Sequence, residues 1–223
     1  MAETAATSRK RWTAQGILAA AREVLEADGL DAFTMRAVAQ RLGTGVASLY
    51  RHVRSRQELL DLLVDEALAG VVLPDRALPW RERLTRLAHA VRDVLLSQRD
   101  LPRVAMTSST VSPHSRRIAE EVLDALVAAG CDPELASLAL DRLSLYVTAD
   151  AFETSLQRAQ MSDREAARHW RAVAEAYAQL DPAAFPQLVA HADVIPRAAA
   201  EERFAAGLAM LLDGIAARIG AAR

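Results

Sequence analysis

The run from Phe33 to Val53, FTMRAVAQRLGTGVASLYRHV, constrains this chain more than any other stretch. Thr34 is placed to cap a helix, its hydroxyl accepting from a backbone N–H one turn on. Val38, Ala39 and Leu42 then fall on one face at helical spacing. Gly43-Thr44-Gly45 breaks that helix, and both glycines tolerate the positive φ a tight turn asks for. A second short helix follows, small at its start (Val46, Ala47, Ser48) and carrying Tyr50, Arg51 and His52 at its end. Alone, this pattern also suits an ordinary αα corner. The flank narrows it: Ser55-Arg56-Gln57-Glu58 reads as a capping box, so a further helix starts just after Val53 with Arg54 and Arg56 on the same side.

The rest of the chain reads as helix throughout. Residues 1–11 are small and polar and end in Arg9-Lys10-Arg11, a tail whose basic end is suited to phosphate. Trp12-Thr13 opens the first helix with Thr13 as cap; Ile17, Ala21, Val24 and Leu25 form its stripe, and Gly29 stops it. That helix would brace the two short ones, which cannot bury enough apolar area alone. After Ser55, residues Leu59, Leu60, Leu63, Ala67 and Leu68 populate a longer helix that fades by Pro74. Pro79-Trp80 begins another, with Leu84, Leu87, Val91, Val94 and Leu95 on one side. Ser112-Pro113 and Asp132-Pro133 are helix starts, and Ser162 to Glu165 is another capping box. Residues 181–193 read as a loop with at most one short helix, before a final helix striped by Phe204, Leu208, Leu211, Leu212, Ile215 and Ile219. No stretch sustains a period of two, so the fold class is all-α. The units expected are 1–58 and 59–223, with Pro74 to Pro79 the sharpest break in pattern.

Composition fits a packed globular protein, at 52% apolar and 25% charged residues. No run approaches the 18 or so uninterrupted apolar residues of a membrane span, and no secretory signal follows the start. The single cysteine, Cys131, has no internal disulfide partner, so a cytoplasmic location is the expectation. Residues 1–58 carry nine basic against six acidic side chains, a net +3 on a chain whose total is −2. A positive head on an acidic body suits a protein that presents one end to a polyanion. Catalytic patterns are missing: no nucleophile–base pairing, no HExxH, no phosphate-cradling glycine loop. His89 and His114 have no second His or Cys at metal spacing. An enzyme, a metal site and a cofactor are therefore not expected.

The run Thr34 to Leu60, ending LYRHVRSRQELL, resembles the helix-turn-helix DNA-binding domain of the TetR family of repressors. Further on, "Pro79-Trp80…Gln98-Arg99-Asp100", "Gly130-Cys131-Asp132-Pro133-Glu134" and "Arg203-Phe204…Asp213-Gly214-Ile215" resemble the tetracycline-repressor subgroup. The resemblance implies an N-terminal three-helix reader and a C-terminal helical ligand-binding and dimerisation domain. It implies DNA contacts at Thr34, Arg36, Val46, Ala47, Ser48, Tyr50, Arg51, His52 and Arg56. Arg36 is the candidate for bidentate guanine readout, while Tyr50, His52 and Arg56 suit phosphates. Tyr50 is equally able to pack on the first helix. Val46, Ala47 and Arg51 depart from the tetracycline repressor's recognition helix, so a different operator is expected. Two recognition helices about 34 Å apart suit a palindromic site. By resemblance, the eighth and last helices of two subunits make the homodimer.

The subgroup holds its magnesium–drug complex with a histidine in the sixth segment and another late in the fourth helix. Those positions correspond to Ala105 and Val72, and a polar asparagine of the fifth helix corresponds to Leu87; Glu153 alone remains of the polar anchors. A methyl group cannot ligate Mg²⁺, so tetracycline–Mg²⁺ is not the expected effector. A more apolar small molecule is, against Leu87, Val91, Ala105, Met106, Ile118, Val122, Leu140 and Tyr146, with Ser108, Ser109 and Glu153 as sparse polar groups. Each of these aliphatic residues is also ordinary core material. The expected function is a ligand-responsive repressor that binds a double-stranded operator as a homodimer. The alternative is a ligand-independent DNA-binding or protein-interaction regulator of the same fold. A cavity of several hundred Å³ between the fifth and eighth helices separates the two.

Overall fold

The computed structural model describes residues 13–108, 111–194 and 199–221. Among them every regular element is helical: α1 (Ala14–Asp28), α2 (Met35–Leu42), α3 (Val46–Leu49), α4 (Arg56–Leu68), α5 (Trp80–Leu96), α6 (Leu101–Ala105), α7 (Pro113–Ala128), α8 (Pro133–Gln160), α9 (Asp163–Ala178), α10 (Pro186–Ala190) and α11 (Ala200–Ala221). The basic tail Arg9-Lys10-Arg11, Trp12 and Ser109 lie outside the described residues.

Local chemistry sets most helix ends. Thr13 Oγ1 accepts from Gly16 N at 3.1 Å and Thr34 Oγ1 from Ala37 N at 3.0 Å. Asp132 accepts from the N–H groups of Glu134 and Leu135, both at 3.0 Å. Ser112 with Ser115, and Ser162 with Glu165, close reciprocal capping boxes. Ser55 caps α4 by accepting from Glu58 N at 3.0 Å. The return contact differs from the expected box, because the Glu58 carboxylate takes the N–H of Arg54 instead. The turn before α3 also corrects the sequence reading. Gly43 is left-handed (φ 67°), whereas Gly45 sits in the extended region at φ −82°, so only one glycine uses its freedom.

Helices α1–α3 form a small bundle around Leu25, Phe33, Val38 and Leu49, all fully buried. α4 packs on α1 and also on α5, α6 and α7, so it belongs to both halves. The body is centred on α8, which packs on α5, α6, α7 and α11. Two buried arginines tie it together. Arg92, 2% exposed, bonds Asp150 at 2.6 Å and Glu201 at 2.7 Å and lies over the Phe204 ring. Arg83 bonds Glu121 and Asp124, each at 2.6 Å. A buried guanidinium persists only when its charge is matched in this way.

Candidate nucleic-acid face and ligand cavity

α3 has a single turn of regular helix, and Tyr50, Arg51 and His52 lie in the turn that follows it. Bonds from Tyr50 N to Val46 O (3.1 Å) and from Val53 N to Leu49 O (3.2 Å) continue the helical path through them. Leu49 anchors the element in the core and Val46 packs partly against it, while Ala47, Tyr50, Arg51 and His52 face outward. Tyr50 is exposed and does not pack into the bundle. Ser48 Oγ accepts from Arg51 Nη2 at 3.1 Å, steadying that guanidinium. Arg36 is exposed on α2 and has no hydrogen-bond or ionic partner among the described residues.

Arg56 is placed differently from a free phosphate ligand. Its Nε donates to Phe33 O at 2.8 Å and its Nη2 to Leu30 O at 2.9 Å, with the guanidinium 5.6 Å from the Phe33 ring centroid. It staples the start of α4 to the α1–α2 corner. Val53 buries just before Ser55, and that brings Arg56 back over the corner rather than out along the face.

Behind the reader lies a cavity of about 550 Å³ walled by α4, α5, α6, α7 and α8. Leu87 and Val91 line it from α5, Ala105, Met106 and Ser108 from α6 and its end, Ile118 and Val122 from α7, and Leu140 from α8. Its remaining polar rim was not legible from the sequence: Asp61 of α4, Ser112 and Ser115 at the start of α7, and Ser137, Asp141, Ser144 and Thr148 of α8. The α8 set recurs at three- and four-residue steps, but polar residues on the other sides of α8, among them Arg142 and Asp150, hide such a stripe until its packing is known.

Two residues expected in the walls are elsewhere. Tyr146 donates to Phe204 O at 2.8 Å and stacks on that ring, and Glu153 pairs with Arg203 at 2.9 Å at the surface. Helical geometry is the reason: at about 100° per residue, both lie nearly opposite Ser144 on the circumference of α8. Burial pushes the Tyr146 phenol up, with Asp150 adding to the shift. Val72 is 81% exposed, outside the cavity. Cys131 is buried, and burial pushes its thiol up, with Asp132 adding to the effect.

Two junctions join cavity to reader. At the first, Asp65 of α4 accepts from His114 N at 2.8 Å, capping the first turn of α7. Arg117 of α7 returns the contact, donating to Val71 O at 2.8 Å and Leu68 O at 3.3 Å at the C-terminal end of α4. At the second, between α5 and α6, Asp100 accepts from Leu30 N at 2.8 Å and Arg99 donates to Ala27 O at 3.0 Å. Arg103 pairs with Asp31 at 2.8 Å. Asp100 is the sole non-glycine among the described residues with positive φ, at 58°; such a conformation is held by its surroundings. Cavity walls and junctions share α4, α6 and α7.

Known proteins share this arrangement. Residues 17–63 match the family described as bacterial regulatory proteins, tetR family, and residues 73–219 match the tetracyclin repressor-like C-terminal domain. The chain is 30% identical over 205 residues to the tetracycline repressor protein class A from transposon 1721 of Escherichia coli, covering 91% of this chain and 89% of that protein. It is 35% identical over 119 residues to an HTH-type transcriptional regulator of Saccharopolyspora erythraea; that match covers 53% of this chain and spans half of that protein's length. Among solved structures, the Streptomyces coelicolor TetR family protein ActR in complex with actinorhodin superposes with a TM-score of 0.85 at 34% identity, over 94% of this chain and 99% of that one. Every one of these relatives is a transcriptional regulator and none is an enzyme. With a DNA reader and a repressor-type body both matched, the chain belongs to the TetR family of transcriptional regulators.

Proposed function

We propose that this regulator is a repressor that binds a palindromic operator as a homodimer and leaves it when a small molecule other than tetracycline–Mg²⁺ fills the body. The carrying observation is the cavity of about 550 Å³, built between the helices that hold the reader. ActR, similar over nearly its whole length, has been captured with actinorhodin, and this supports a ligand-gated mode over a ligand-independent one. The ligand need only prefer the arrangement of readers that does not fit DNA, and about 1–3 kcal/mol of coupling suffices.

In this reading residues 1–58 read DNA and 59–223 sense and dimerise. Thr34, Arg36, Ala47, Ser48, Tyr50, Arg51 and His52 face the duplex, with Arg36 and the braced Arg51 as the guanidinium readers. Dimerisation uses exposed apolar side chains of α8 (Leu156) and α11 (Met210, 73% exposed); apolar patches of this kind mark interfaces. Its place of action is the cytoplasm, where its DNA is; among the described residues no helix is long and apolar enough to cross a membrane.

The test selects binding sequences from random duplexes with the full chain and footprints the winner. Two inverted half-sites about one helical turn apart are expected, with a dimeric mass by analytical ultracentrifugation. Tetracycline with Mg²⁺ should leave the complex intact, and Arg36→Ala should weaken it by about tenfold or more. A strictly monomeric protein, or equal grip on any duplex, would overturn the proposal.

A further inference from the structure

The charges around the cavity point to the class of molecule it takes. Among the described residues its lining includes two carboxylates, Asp61 and Asp141, a set of hydroxyls, and no Lys, Arg or His. No aromatic ring lines it either. The two buried guanidinium groups of the body are committed elsewhere, Arg83 to Glu121 and Asp124 and Arg92 to Asp150 and Glu201, and the half-buried Arg117 donates through Nη2 to the carbonyl end of α4. Asp61 takes a hydrogen bond from the neutral amide of Gln57 at 2.9 Å and no ionic partner among the described residues. Asp141 is paired with its neighbour Arg142 at the exposed rim. The cavity shares Ser137 and Asp141 with an open groove that adds Asp132, Glu134 and one cation, Arg218. From the mouth inward, carboxylates outnumber cations.

An anionic ligand entering here would lose its water and meet no counter-charge, an unfavourable transfer. A protonated amine finds carboxylates at the mouth and hydroxyl oxygens as acceptors along α8, while its apolar frame lies on Leu87, Val91 and Ile118. We infer that the effector is a cationic amphiphile: an apolar body bearing a protonated nitrogen that sits at the Asp61–Asp141 rim. This rests on the cavity being the effector site, and it adds a sign of charge that the family resemblance does not supply.

A matched series of probes, decylamine, 1-decanol and decanoate, separates the two readings because only the head group changes. Binding to the full-length protein is measured by isothermal titration at pH 7, below each micellar limit. The amine should bind about tenfold more tightly than the alcohol, and decanoate about tenfold more weakly or not detectably. In Asp61→Asn and in Asp141→Asn the amine-to-alcohol ratio should fall severalfold. Each variant's melting curve checks its fold. If the alcohol equals the amine, or decanoate is preferred, the charge assignment is overturned while the cavity reading stands. If none of the three binds, both fall.

Discussion

The two junctions that hold the reader to the body use similar side chains but differ in how far water reaches them. Between α4 and α7 the contacts are enclosed: Asp65 is 9% exposed, and its carboxylate and the Arg117 guanidinium satisfy backbone groups at the ends of each other's helices. Between the α1–α2 corner and the start of α6, Asp100 and Arg99 likewise take backbone groups, but the contacts are more open and include the Arg103–Asp31 pair in solvent, with the Asp31 side chain 85% exposed. The same class of interaction differs in strength by its surroundings. A buried polar group left without a partner costs its full desolvation penalty, whereas a surface ion pair competes with water and salt. The enclosed junction therefore fixes where α4 sits, and the exposed one trims the angle of the reader at little cost in stability. On the proposed ligand-gated reading, a reorientation of the reader would find an inexpensive hinge on one side and a firm pivot on the other.

That contrast is open to measurement. Removing Arg117 is expected to cost most: Arg117→Ala leaves the Val71 carbonyl without its donor and takes one of two from the Leu68 carbonyl, which keeps the Val71 N–H, at about 2–3 kcal/mol in thermal or urea unfolding. Asp65→Ala should cost about 1–3 kcal/mol by freeing the His114 N–H. The double variant should cost less than the sum, since both act at one junction. Asp100→Ala comes next, at about 1 kcal/mol, because it loses one acceptor while the left-handed φ persists. Its larger effect should be on the effector concentration needed to release DNA. Arg103→Ala should change stability by no more than about 0.5 kcal/mol, with any effect fading at high salt. If Arg103→Ala proves as costly as Arg117→Ala, the contrast is wrong.

The smallest effect is with pH. The Arg103 hydrogen bond, aided by its charge, holds the Asp31 carboxyl below its ordinary value. A carboxyl depressed in the folded state contributes stability above its unfolded value and loses it as pH falls through the folded one. The exposed junction should thus loosen only below about pH 4. Amide exchange at Leu30 and Asp31 would report this as faster exchange than in α4 at the same pH.

Helix starts were legible because capping is local. Thr13, Thr34, Ser112, Asp132 and Ser162 each act on an N–H two or three residues away, a distance any reader of the chain can count. The same holds for the stop at Gly43. Eight of the expected wall residues also line the cavity; the family resemblance pointed to them, and apolar spacing agrees for the four on α5 and α7. Where the sequence misled, a distant partner was at work. Tyr146 turned to Phe204, 58 residues away, Glu153 to Arg203, 50 away, and Arg56 to the Phe33 carbonyl, 23 away.

By itself, then, the chain determined its helical class, the start of each main helix, the short two-helix reader and a family resemblance that its relatives uphold. Tertiary structure alone decided which charges became buried clamps, which face of α8 met the cavity, and the excess of carboxylate at its mouth. The physical reason is range. Hydrogen bonds within a helical turn are written in adjacent residues, whereas burial and charge pairing depend on which distant helices come to share one interior.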